Sequence, residues 1–273
     1  MESSDIHVEQ MSDVLEEGLA RARSELLVVN PCHEAMRELV ETVSVLDNSP
    51  LVRLFADEQS LKDVLEDFLV ASRMADLVDS GRVEIRTLEK VPRASLLLTE
   101  EVVVTVVEGG DHIAGLTSTK RSFVTATYED FDNRWNRAEA YSIRTPPLTH
   151  IRETMAEEIG EQATADMDRI LDALETARGD GDGLDEVMIT LLVAANNREL
   201  LYDISRWGED IRLASKATFS RTKNELEEVG LIDTEKVPIE VGRPRLRLVL
   251  ADSTLEDLEL EEVVDHAETK LTQ

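Results

Sequence analysis

Between residues 184 and 250 the spacing of apolar side chains changes several times, and the order of those changes restricts the fold more than any other feature of the chain. Leu184, Val187, Met188, Leu191, Leu192 and Ala195 recur at three- and four-residue steps, the spacing of one face of a helix. Asn196-Asn197 follows as a turn, and Leu200, Leu201, Ile204 and Trp207 predict a second short helix ending near Gly208. Ser215 is placed to cap a third helix, in which Phe219, Thr222, Leu226 and Val229 face the core and Gly230 supplies the end. Leu231-Ile232 then starts a strand, and the runs 237–241 and 246–250 flank the turn Gly242-Arg243-Pro244.

Charge gives that order of elements a meaning. The chain carries a formal net charge of -29, and such acidity ordinarily argues against a nucleic-acid partner because phosphates are repelled. Residues 196–250 depart from it, with ten Lys/Arg against ten Asp/Glu. Within them, Lys216, Arg221 and Lys223 cluster in 215–223, and Arg243, Arg245 and Arg247 in 242–250, both segments free of acid. Three helices and a basic hairpin are the layout of a winged helix-turn-helix, which lays its third helix in the major groove of double-stranded DNA. With Phe219, Thr222 and Leu226 turned inward, Lys216, Thr218, Ser220 and Arg221 point outward, with Lys223 nearby. The candidate DNA-binding residues are therefore Ser215, Lys216, Thr218, Ser220, Arg221, Lys223, Arg243 and Arg245. Arg247 alternates with Leu246 and Leu248 and either meets phosphate or lines the exposed strand face.

The remaining acid reads as solvation. Apolar residues make up 42%, enough for a sizeable core and too many for a disordered acidic chain. Arg outnumbers Lys 22 to 7, and Cys32 is the one cysteine, which excludes an intrachain disulfide. An acidic surface poor in Lys and Cys suits a high-salt cytoplasm, where ions at molar concentration screen charge beyond about 3 Å. No apolar run nears the roughly 20 residues that span a bilayer, and the N-terminus lacks a signal-peptide pattern. A cytoplasmic protein with no membrane partner is expected.

Residues 1–146 predict an α/β domain. Helical spacing over 11–23 precedes a strand at 25–30, a helix from Met36 through Val43, a strand at 52–56, a helix over 58–78 capped by Gly81, and a strand at 83–88. That alternation argues for parallel strands with crossover helices. Three consecutive strands follow at 95–99, 102–108 and 112–117, with Gly109-Gly110-Asp111 as a hairpin turn, so antiparallel strands extend the sheet. The segment 123–141 looks helical at its end, with Phe131 and Trp135 as core anchors.

Chemistry is sparse there. The five histidines have no metal-ligand spacing, and there is neither a Walker A loop nor a Gly-x-Ser-x-Gly elbow. No cofactor, metal or catalytic set is expected. Ligands of open α/β sheets bind beyond the carboxyl ends of strands. Asn30 and His33 follow the first strand, Asp57 follows the second, and Arg93 and Ser95 precede the fourth, so these five are candidate effector-binding residues for a polar molecule or anion. The bland alternative is that Asn30 and Asp57 only cap helices and His33 is a surface residue.

Pro146-Pro147 breaks the chain, and 147–178 predicts a connecting helix with an apolar stripe from Ile151 to Leu174. The stripe suits a homodimer, or packing on the α/β domain. Residues 179–183, Gly-Asp-Gly-Asp-Gly, read as a linker, 184–250 as the DNA-binding module, and 251–273 as an acidic helix with apolar residues from Leu255 to Ala267.

The run from Phe219 to Ile232, closed by Gly242-Arg243-Pro244, resembles the winged helices of regulators of the TrmB and MarR kind. The front half, with Phe131-Asp132-Asn133-Arg134-Trp135 near its end, looks like the phospholipase-D-like effector domain of TrmB-type regulators. The His-x-Lys motif of phospholipase D enzymes is missing, since His112 is followed by Ile113-Ala114. The order, with the winged helix last, is similar to that of the TbsP regulators of haloarchaea. That resemblance implies a transcriptional regulator of sugar or central carbon metabolism, with a non-catalytic sensing domain for a sugar or phosphosugar. The competing readings are an α/β enzyme of phospholipase-D-like or other type carrying a binding module, and an adaptor whose winged helix binds protein.

Overall fold

The computed structural model describes residues 6–8, 10–46, 48–109, 112–174, 184–239, 242–252, 255 and 258–271. The chain divides into two compact units, one of residues 1–65 and 73–144, the other of 66–72 and 145–273.

The first unit is a seven-stranded mixed sheet with helices on both faces. Its strands are β1 (Ile6–Val8), β2 (Glu25–Val29), β3 (Leu51–Ala56), β4 (Val83–Thr87), β5 (Ser95–Leu98), β6 (Val103–Gly109) and β7 (His112–Ser118), in the order β1-β7-β6-β5-β2-β3-β4. The expected parallel trio is present: Leu27 pairs with Arg53, and Arg53 with Glu84. The expected antiparallel extension runs through β5, β6 and β7, with Gly109 opposite His112. Gly110 and Asp111, the expected turn, lie outside the described residues. β1 was not foreseen: three residues that add to β7 carry too little pattern to stand out.

Successive strand residues alternate faces, so Leu27 and Val29 point one way and Leu26 and Val28 the other. Helix α1 (Met11–Arg21) lies on the second face, close enough that Gly18 sits against Leu97 and Leu26. Helix α2 (His33–Val45) also buries an apolar stripe. On the first face, Leu27, Val29, Phe55, Leu98 and Val103 form a core with Val124, Phe131 and Trp135 of α5 (Arg121–Trp135). Phe131 and Trp135 are thus the anchors their spacing implied. Asp132 between them accepts from Arg53 at 3.0 Å, and the guanidinium groups of Arg53 and Arg86 lie 5.7 and 5.2 Å from the centroid of the Trp135 ring. α5 stops at Trp135, short of the expected 141. Beyond it Ala140 bridges Arg86, and Tyr141 N–H donates to Ile85, so the chain pairs with the open edge of β4.

The expected helix over 58–78 is two, α3 (Glu58–Leu65) and α4 (Phe68–Asp79). Asp67 causes the break: it is fully buried, its carboxylate accepts from Leu69 N–H at 3.1 Å, and its carbonyl accepts from Ala71 N–H at 2.8 Å. It restarts the helix as an N-cap does. Gly81 (φ 71°) closes α4, where its N–H donates to Val78 and that of Arg82 to Leu77.

In the second unit the expected connecting helix is likewise two, α6 (Leu148–Glu158) and α7 (Glu161–Ala173). Gly160 separates them at φ 147°, a conformation side chains rarely adopt. Their apolar stripe does not face solvent. Ile151, Met155, Met167, Ile170 and Leu171 are buried in one cluster with the winged-helix core. Asp166 of α7 is buried too, accepting from Asn196 and Asn197 at 2.8 Å each. The linker 179–183 lies outside the described residues.

The module itself has α8 (Glu186–Asn196), α9 (Leu201–Asp210), α10 (Lys216–Glu228), β8 (Ile232–Val237) and β9 (Arg245–Leu250). β8 is one strand starting where expected, with Val237 as its last residue rather than the first of another; Val237 pairs with Arg245. Pro238, which has no N–H to donate, follows it. A third, one-residue strand went unforeseen: Leu200 bridges Arg247, and Leu248 N–H donates to Glu199 at 2.9 Å. Helix, short strand, helix, helix and hairpin complete a winged helix-turn-helix. The C-terminal helix α11 (Leu260–Leu271) lies within the expected 251–273. Its Val263, Val264 and Ala267 are buried in the same cluster, and Lys270 donates to the Gly230 carbonyl at 3.1 Å.

Gly208 does not end α9. It lies inside the helix, beneath the ring of Phe219, and a Cβ built there would meet Phe219 Cε2 at 2.4 Å. The crossing of α9 and α10 therefore requires glycine. We expect Gly208→Ala to destabilise the second unit by about 1–3 kcal/mol, the range for overpacking a core. Urea unfolding checks this, and an unchanged midpoint would show that the contact is not tight.

Candidate functional site

The expected DNA face is built on the start of α10 and on the hairpin. Ser215 caps α10: its Oγ accepts from Thr218 N–H at 3.1 Å and lies 2.9 Å from Thr218 Oγ1. These two hydroxyls are therefore engaged in shaping the helix start. Ser220 is exposed, and Arg221 is 72% exposed, with Nε 3.8 Å from Glu225. Arg243 is exposed in the wing. Arg245 is half-buried, 3.6 Å from Asp203 and with its guanidinium 4.3 Å above the Tyr202 ring.

Lys223 departs from the expected arrangement. It is 8% exposed and its Nζ is 2.6 Å from Glu227. It stands four residues after Phe219 and one after Thr222, at the margin of the buried face, and its ammonium is turned to the carboxylate one helical turn on. Thr234 of β8 donates to the same carboxylate group at 3.1 Å, so Lys223 helps join α10 to the hairpin. Arg247 is half-buried at the bridge to Leu200, with Nε shielded from solvent.

Residues of α9 that the sequence did not single out stand against this face. Glu209 holds Lys216: Oε2 is 2.7 Å from Nζ, and Oε1 accepts from Lys216 N–H at 3.4 Å. The hydrogen bond from Lys216 holds the Glu209 carboxyl below its ordinary pKa, and the same bond raises that of Lys216. No motif announces Glu209, because seven residues and a turn separate the partners.

In the first unit, a cleft of about 820 Å³ opens beyond the carboxyl end of β2. Asn30, His33, Arg93 and Ser95 line it, along with Cys32, Ser60 and Thr105. Asn30 adopts φ 50°, donates to the Pro92 carbonyl at 3.1 Å, and accepts at its own carbonyl from Ser95 at 2.6 Å. These bonds fix the 92–95 loop to the strand end. Cys32, not Asn30, caps α2, its Sγ accepting from Ala35 N–H at 3.4 Å. Asp57 is not in the lining. It caps α3, accepting from Gln59 N–H at 3.1 Å and from Ser60 N–H at 3.0 Å. Its other oxygen accepts from Ser60 Oγ at 2.5 Å, and Asp57 thereby orients a cleft hydroxyl. Among the described residues, no group of three or more His, Cys, Asp or Glu is placed to hold a metal ion, and no helix is long and apolar enough to cross a membrane.

Burial acts to raise the Asp57 pKa, but the hydrogen bonds from Ser60 and Gln59 outweigh it and lower the value on balance. A lowered pKa means stabilisation that is present at neutral pH and lost as pH falls through the carboxylate range. We expect Asp57→Ala to cost about 1 kcal/mol at pH 7, as for loss of a helix cap. The gap from wild type should narrow below about pH 4. Thermal melts across pH check this; a gap independent of pH would contradict it.

Comparison with known proteins agrees with the geometry. Residues 3–146 match the family model described as "Transcriptional regulator TbsP-like, N-terminal", and residues 147–268 match "Transcriptional regulator TbsP-like, C-terminal HTH domain". No curated protein matches the chain in sequence. Among solved structures, TrmBL2, an archaeal chromatin protein described as showing a novel mode of DNA binding, is similar over 50% of this chain at 20% identity and a TM-score of 0.38. That match spans about half of its length, 52%. Nuc from Salmonella typhimurium, a phospholipase D family member, is similar over 47% of this chain and 89% of its own at 14% identity, with a TM-score of 0.33.

Proposed function

Starting from the chain's membership of the TbsP-like transcriptional regulator family, we propose that it binds double-stranded DNA through α10 and the wing. What carries this is the concentration of cations, in a chain of net charge -29, on the two segments that a winged helix presents to DNA. Arg221 enters the major groove and reads a base edge; Arg243 meets phosphate from the wing. Ser220 and Lys216 lie beside them on the exposed start of α10. Two copies acting as a homodimer read two half-sites, the surface for pairing lying elsewhere than the buried stripe of α6 and α7.

The first unit is the sensor in this reading. Its cleft offers hydroxyls from Ser60, Ser95 and Thr105, the cation Arg93, and the N-terminal end of α2. That chemistry suits a polyol with an anionic group, which supports a sugar or phosphosugar effector and a role in sugar or central carbon metabolism.

Fluorescence anisotropy with duplexes from the protein's own promoter region tests the DNA reading. Arg221→Ala should weaken binding about tenfold or more, since a good base-edge contact is worth roughly 1–3 kcal/mol. Arg243→Ala should weaken binding to all sequences and reduce the salt slope by about 0.9. Unchanged binding in both variants would remove the groove assignment. For the sensor, a phosphosugar that binds the folded state must raise the melting temperature. Arg93→Ala should abolish that rise; a rise that survives the substitution would place the ligand elsewhere.

A further inference from the structure

We propose that Glu209 and Asp203 set the specificity of the DNA face by occupying its cations in place of phosphate. The proposal rests on the DNA-binding reading above.

Glu209 holds the two groups that an anion seeks at the start of a helix. One of its oxygens is 2.7 Å from the Lys216 ammonium, and the other accepts from the Lys216 backbone N–H. That N–H belongs to the first residue of α10 and has no partner within the helix. A phosphate docking on α10 would use the same ammonium and the same amide. Glu209 thus stands as an internal phosphate mimic. Asp203, from the opposite end of α9, stands 3.6 Å from Arg245 of β9. The stacking of Arg245 on Tyr202 restrains that guanidinium further.

The consequence follows from what each kind of DNA offers. Non-specific binding is almost wholly electrostatic. A phosphate arriving at Lys216 either displaces Glu209, losing an ion pair, or remains beside a carboxylate that repels it. Random DNA has nothing else to offer and is rejected. A correct site adds base-edge contacts with Arg221, which reaches solvent from the outer face of α10, and those contacts offset the displacement. The carboxylates therefore lower affinity for every sequence but lower it in greater proportion where phosphate contact is all there is.

Anisotropy titrations of full-length wild type, Glu209→Gln, Asp203→Asn and the double variant test this, with a promoter duplex and a random duplex over a series of salt concentrations. The double variant should bind the random duplex about tenfold more tightly at 0.1 M salt, with a salt slope steeper by about one to two, near 0.9 for each cation released to phosphate. The ratio of promoter to random affinity should fall. In a Lys216→Ala background, Glu209→Gln should gain clearly less, since only the backbone N–H is freed and no ammonium is released. Glu157→Gln, on the exposed surface of α6, controls for net charge. Matching melts establish that the variants are folded. If wild type binds the promoter duplex but the double variant gains nothing on random DNA, or if Glu157→Gln gains as much, the inference is overturned while the DNA reading stands. If neither wild type nor any variant binds any duplex, both are overturned.

Discussion

The contact of Phe219 with Gly208 governs the output end of this protein. The ring is fully buried, and it rests where any side chain at 208 would stand. Helices α9 and α10 are joined by a short turn in which Arg212 takes φ 63°. With the turn short and the crossing close, the start of α10 has one direction in which to project. Every residue proposed to meet DNA takes its position from that crossing or from the hairpin that Lys223, Glu227 and Thr234 tie to α10.

The core beneath that crossing is larger than a winged helix alone provides. α6, α7 and α11 bury their apolar faces in the same cluster as α8, α9 and α10. Polar bonds bind the pieces at chosen points. Trp207 Nε1 donates to Thr154 Oγ1 at 3.1 Å, and the buried Asp166 gathers the amides of Asn196 and Asn197. A buried carboxylate is tolerated because it is so fully bonded, and removing it would leave its amide partners unsatisfied. The stripe that suits a dimer in sequence is consumed inside the chain.

Much of this was legible from spacing alone. The helices of the module, the parallel trio of strands and the antiparallel extension follow from periods of 3.6 and 2. The losses have local causes. Asp67 and Gly160 break helices whose apolar spacing continues across them, since the pattern records which side faces the core and not whether the axis is continuous. Leu200 forms a strand of one residue, too short for any period. Lys223 reads as an exposed base because its charge is visible in sequence and its burial is not. Glu209 was missed for the opposite reason, since an acid in an acidic chain carries no signal until folding sets it on Lys216. In the first unit, four of five candidates meet in one cleft, while Asp57 acts through Ser60.

The central claim is that α10 and the wing are the surface that meets DNA. Covalent footprinting of arginine side chains, read by mass spectrometry on the full chain with and without promoter DNA, tests it most directly. Arg221 and Arg243 should be protected by DNA, while Arg23 and Arg144 of the first unit react equally in both states. Protection confined to the first unit, with Arg221 and Arg243 unaffected, would contradict the account.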